Sequence, residues 1–188
     1  MTDEHPYPYR YERSLTAAAA HERFGSLEAG GESGAVARMA GRLLTTRHHG
    51  KVAFADLVDA TGHIQLFAQQ TVLGDDGMAA FEDLTVGDIV GAEGEIVMTK
   101  RGELSLKVQS LTVLAKCLRP MPEKWHGMSD VEVRYRQRYL DLLSNEDATR
   151  ALDARAKANR AIRSFLDDRG FVEVETPILQ PVAGGAVA

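Results

Sequence analysis

From Val36 onward the chain alternates apolar and polar residues in short runs, and glycine-bearing turns separate the runs. This period-two pattern predicts half-buried strands. The first spans Val36 to Thr46, with Gly41 expected at a bulge or bend. His48-His49-Gly50 reads as a turn. Lys51 to Asp59 forms a second run, Ala60-Thr61-Gly62 a hairpin turn, and His63 to Ala68 a third run. Met78 to Leu84 has the spacing of a short helix. Asp88 to Thr99 is a fourth strand, Lys100-Arg101-Gly102 turns the chain, and Glu103 to Leu114 is a fifth.

Five strands with a helix between the third and fourth follow the order of an OB-fold barrel, an architecture that binds oligonucleotides across strands two and three. Other small barrels share the strand count. Before this region, residues 1–34 read as a peripheral extension, with an alanine-rich helix candidate at Leu15 to Phe24 and a glycine-bearing linker at Gly25 to Gly34. The barrel is expected over 35–117, and 118–144 reads as a linker that opens with the stiff Pro120 and Pro122. A different regime follows over 145–188. Ser144 and Asp147 have capping-box-like spacing. An amphipathic helix then runs to about Arg169 with Ile162, Phe165 and Leu166 on one face. Gly170 falls at a left-handed C-cap position, and Val172 to Glu175 reads as a short strand before Pro177. The fold class is therefore a β barrel followed by an α+β segment that opens a second domain.

Composition narrows the partners. The 188 residues carry 22 Lys+Arg against 27 Asp+Glu, a formal charge of -5, so any nucleic-acid binding rests on local cations. A single cysteine, Cys117, excludes an intrachain disulfide and suits a reducing compartment. No apolar run is long enough to cross a membrane, and the polar, Tyr/Pro-rich start lacks the core of a secretory signal. A cytoplasmic protein is expected. His48 and His49 have no acidic or cysteine neighbours and make a poor metal site.

Alternation also sorts the barrel's faces. Ala53, Ala55 and Leu57 share one side of the second strand, and Ile64 and Leu66 share one side of the third. These suit the interior. Phe54 and Gln65 are left on the outside of neighbouring strands. An exposed ring can stack on a base, worth about 1–3 kcal/mol, and an amide offers a base edge both a donor and an acceptor. Pattern alone leaves open the alternative that Phe54 is core and Gln65 merely solvated. Arg47 and Glu103, at loop ends, have the chemistry for a phosphate or a base NH, and equally that of ordinary surface charges.

Several motifs together carry a resemblance from about Tyr7 to Ala188. They are Gly41-Arg42, Gly50-Lys51 with Phe54, Ile64-Gln65-Leu66, Gly102-Glu103-Leu104-Ser105, Leu118-Arg119-Pro120, His126-Gly127, Arg134 to Leu142, Gly170 to Pro177 and the closing Gly184-Gly185-Ala186. The chain resembles the N-terminal part of class II lysyl-tRNA synthetases. The tail separates it from the aspartyl and asparaginyl relatives. The resemblance implies that the barrel binds the tRNA(Lys) anticodon. It implies that Phe54 stacks on the central uridine, that Gln65 bonds its edge, and that Arg47 and Glu103 lie near the flanking bases. The helix from about Glu146, the following strand and Pro177 look like the motif that builds the family's homodimer interface. Gly184, Gly185 and Ala186 resemble a loop of the lysine pocket.

The departures are as informative. The family's second and third motifs, whose arginines bind ATP, are not in these residues, nor are the acidic residues that hold the lysine ammonium. The resemblance implies a parent enzyme that uses ATP and Mg, while this chain alone is expected to lack catalytic residues and activity. Arg134, Arg136 and Arg138 have two readings, contact with the tRNA backbone or salt bridges to a catalytic domain, the second expected for at least one of them. Tyr135 and Tyr139 read as packing residues. Residues after about Ser144 are expected to be poorly ordered or self-associating. The rival to an enzyme fragment is a free-standing OB module that binds tRNA or single-stranded nucleic acid without catalysis.

Overall fold

Seven-residue strands whose burial alternates at every position can close a small barrel only if the apolar parity is kept from strand to strand. The computed structural model, which describes residues 7–119, 121 and 130–179, shows this arrangement. β1 spans Glu32–His49, β2 Val52–Val58, β3 His63–Gln69, β4 Ile89–Met98 and β5 Leu104–Ala115. They close in the order β1-β2-β3-β5-β4, with β3 and β5 parallel and the other neighbours antiparallel. Leu43, Leu57, Ile64, Leu66, Val90, Ile96, Leu106 and Val108 fill the interior, all at 2% exposure or less.

Helix α1, Ala17–Phe24, belongs to that interior and corrects the reading of residues 1–34 as peripheral. Leu15, Ala17 and Ala20 are buried in the barrel's core cluster. Its first turn is held from three sides. Asp59 Oδ2 accepts from Ala17 N, Thr61 Oγ1 from Ala18 N and Thr16 Oγ1 from Ala19 N. The β2–β3 turn thereby satisfies amides that a helix start leaves unpaired. Helix α2, Gln70–Glu82, starts eight residues before the expected Met78, because Gly74, at φ 70, joins two short helical stretches across a kink. Met78 and Phe81 are its buried anchors.

Gly41 is not the bulge. The register shift between β1 and β2 falls between Leu43 and Thr45, while Gly41 pairs regularly with Val90. Its role is close approach: a Cβ there would lie 2.4 Å from Val58 O. Gly91 serves similarly, leaving room for the Tyr11 ring, which a Cβ would meet at 2.5 Å.

Contacts divide the chain into Met1–Met121 and Pro122–Ala188. In the second unit, part of the stretch read as linker is helical. α3 spans Val131–Arg136, α4 Arg138–Ser144 and α5 Glu146–Asp167. Asn145, not Ser144, caps α5, accepting from Asp147 N and Ala148 N, while Ser144 Oγ donates to Leu140 O. Asp141, 1% exposed, gathers Arg134 Nε at 2.9 Å, Arg138 Nη1 at 2.5 Å and Asn145 Nδ2 at 3.2 Å. Two of the three arginines thus serve a local carboxylate. Burial pushes the Asp141 carboxyl up, but the hydrogen bonds from Arg134 and Asn145 and the charges of Arg134 and Arg138 outweigh it and hold the group below its usual range. Tyr135 and Tyr139 are exposed, contrary to the packing expected of them. The strand expected at Val172 to Glu175 is not formed either. Residues 171–177 carry no regular structure and are exposed, since a strand exists only by pairing and no partner stands among the described residues.

Candidate nucleic-acid interface

Directly paired residues of neighbouring strands point to the same side of a sheet. The register therefore lays two rows of side chains across the barrel's outer face. One row runs Arg47, Phe54, Phe67, Lys107, from β1 through β2 and β3 to β5. The next runs Thr45, Asp56, Gln65, Ser105. Ala53, Ala55, Leu57, Ile64 and Leu66 all face inward, as alternation requires.

Phe54 is half-buried and lies outside the barrel core, so the alternative that it is a core residue does not hold. Its ring stacks on Phe67 with centroids 5.1 Å apart and planes 6° from parallel. Gln65 lies diagonal to Phe54, and its Oε1 accepts from Ser105 Oγ at 3.0 Å. Its amide N–H groups then remain as donors, suited to a base carbonyl. Ser105 Oγ also lies 3.2 Å from Glu103 O. Arg47 stands beside Phe54 with its guanidinium 3.4 Å from Asp56 Oδ1, and Thr45 Oγ1 donates to Asp56 Oδ2 at 2.5 Å. Glu103 is exposed in the β4–β5 turn, where its amide donates to Thr99 Oγ1 and its carbonyl accepts from Thr99 N.

Three residues singled out from sequence, Arg47, Phe54 and Gln65, thus fall on one side of one sheet, and Glu103 lies in the turn just before Ser105. Arg47 lies within β1 and not at a loop end. Phe67, Ser105 and Asp56 share this face without having been singled out. Phe67 has the same alternation parity as Gln65 and was findable on that ground. Ser105 was not, because its place beside Gln65 comes from the parallel β3–β5 pairing, which local pattern does not encode. Cations mark the two ends of the face: Lys51 at the β1–β2 turn, and Lys100 and Arg101 at the β4–β5 turn, all exposed. Lys107 is occupied by Glu32 at 2.8 Å.

In the second unit, Pro177 is exposed. Gly184, Gly185 and Ala186 lie outside the described residues. No three His, Cys, Asp or Glu side chains converge to hold a metal among the described residues, and no described helix is long and apolar enough to cross a membrane.

A closed five-stranded barrel in the order β1-β2-β3-β5-β4 has the architecture of an OB fold. Residues 37–114 match the family described as OB-fold nucleic acid binding domain, and residues 130–188 match the class II tRNA synthetases of the D, K and N group. Along nearly its whole length the chain is similar to lysine–tRNA ligases. It is 50% identical to the Moorella thermoacetica enzyme over 183 residues, which is 97% of this chain and 36% of that protein. It is 48% identical to the Thermotoga maritima enzyme over 186 residues, 97% of this chain and 37% of the relative. The Thermosynechococcus vestitus enzyme is also 48% identical, with the same coverage. The chain therefore spans little more than a third of the length of these relatives.

Proposed function

We propose that this chain is the anticodon-reading, N-terminal part of a lysine–tRNA ligase. The observation that carries this reading is the placement of Phe54 and Gln65 on the outer face of β2 and β3, with Arg47 beside them on β1, in a chain similar to lysine–tRNA ligases over 97% of its length. Phe54 supplies a stacking surface for the central anticodon uridine. The Gln65 amide donates to that base's carbonyl edge. Arg47 and Glu103 meet the flanking nucleotides, and the exposed lysines and arginine at either end of the face take the phosphates.

The whole enzyme activates lysine with ATP and Mg and transfers it to tRNA(Lys) as a cytoplasmic homodimer, with Pro177 at the dimer interface and Gly184, Gly185 and Ala186 in the lysine pocket. No chemical step is assigned to the described residues. This chain by itself reads the tRNA and performs no aminoacylation.

The test is the affinity of the purified chain for an RNA hairpin with a U-U-U anticodon loop, beside the same hairpin with no loop uridines. Preference for the first supports anticodon reading. Equal affinity would make the barrel a general single-strand binder.

A further inference from the structure

The two rings on the outer face determine from which side a base can stack. Phe54 and Phe67 are cross-strand partners, 5.1 Å between centroids and 6° from parallel. Rings this close cannot lie edge to edge in one plane, because facing carbons would fall well inside the contact distance of about 3.5 Å. They must lie in near-parallel planes with a lateral offset, an arrangement aromatic pairs favour. Each ring therefore covers part of one face of the other. Strand spacing, about 4.8 Å, also leaves no room to insert a base between them.

We infer that Phe67 is a positioning residue for the stacking site: it closes the β3-facing side of Phe54 and fixes that ring's tilt, so that one base stacks, and only on the face turned towards β1 and Arg47. This rests on the anticodon reading above. Arg47 is the register partner of Phe54 on that open side. Its guanidinium is half-exposed and held only at 3.4 Å by Asp56, so it stands where the stacked nucleotide enters. Phe67 itself does not touch the base. On its far side stands Lys107, whose ammonium is committed to Glu32.

A double-mutant cycle on the full chain tests this, using the U-U-U hairpin as probe and thermal unfolding as a control for folding. Phe54→Ala weakens binding by roughly tenfold or more, the scale of one lost stack. Phe67→Leu keeps an apolar side chain but loses the plane, and weakens binding by about three- to tenfold, the scale of an aromatic pair. Phe67→Tyr restores it. In the Phe54→Ala background Phe67→Leu costs nothing further, since it acts only through Phe54. An undiminished loss in that background would show that Phe67 meets the base directly and overturn the positioning role. A loss for Phe54→Ala with none for Phe67→Leu would overturn this inference alone. No loss for Phe54→Ala would overturn the stacking reading and this inference with it.

Discussion

At the scale of single residues, the interface is a matter of parity. Phe54, Phe67 and Gln65 face outward because Ala53, Ala55, Leu57, Ile64 and Leu66 must face inward. That much was legible from alternation. What Gln65 is bonded to was not, since Ser105 lies 40 residues away along the chain. Gly41 shows the same limit. A glycine within a strand signals either a bulge or a close approach, and only the Val58 carbonyl, brought up by β2, decides between them. The obstacle at 2.4 Å is backbone, so a methyl group there forces the β1–β2 pair apart. Gly41→Ala should cost about 1–3 kcal/mol, the usual range for overpacking, read as a lower urea midpoint at unchanged slope. An unchanged midpoint would mean that the two strands yield without cost.

At the scale of elements, two buried or half-buried carboxylates hold the barrel's ends. Asp59 accepts from the Thr61 hydroxyl and from the amides of Ala17, Thr61 and Gly62, tying α1 to the β2–β3 turn. Asp88, fully buried, accepts from Thr85 N, Thr85 Oγ1 and Cys117 N, with Lys116 Nζ 3.3 Å away, and so joins the start of β4 to the chain leaving β5. Burial pushes both carboxyls up, but these hydrogen bonds outweigh it and hold both below the ordinary range. In each case the unfolded chain takes the proton first as pH falls. Their stabilising contribution is therefore full above the unfolded carboxylate value of about 3.9 and is lost as pH drops through the lower folded value. Stability should be flat from neutral pH to about pH 5 and then decline below about pH 4. Asp59→Asn should weaken that decline and speed proteolysis within residues 7–24 at neutral pH. Protection of α1 identical to that of the unmodified chain would refute the latch. None of this was visible locally. An alanine-rich stretch next to a glycine-bearing one reads as peripheral until the aspartate of a distant turn caps it. α5 was more legible, because its apolar spacing is self-contained, and only its ends moved, the cap from Ser144 to Asn145 and the last residue from about Arg169 to Asp167.

At the scale of the whole molecule, the buried apolar residues all belong to the first unit except Ala148. On α5, Ile162, Phe165 and Leu166 are 40–59% exposed, and Phe171, Val172, Val174, Ile178 and Leu179 beyond it are more open still. Apolar surface of this extent drives association. Sedimentation of the 188-residue chain should show a mass that rises with concentration, whereas residues 1–121 should remain monomeric. A concentration-independent monomer of the full chain would contradict this. The barrel was readable because its strands are consecutive and each strand's pattern points to the same core. The expected strand at Val172 to Glu175 was misread because a strand's identity lies in its partner.

The most direct measurement for the central claim is the pattern of amide chemical-shift changes when the isotope-labelled chain is titrated with the U-U-U hairpin. The largest changes are predicted at β2 and β3, at Arg47, and at residues 103–105, with Phe54 and Gln65 among them and α1 unaffected. Changes centred on α1 or α2, or none at saturating RNA, would show that the outer β2–β3 face does not read the anticodon.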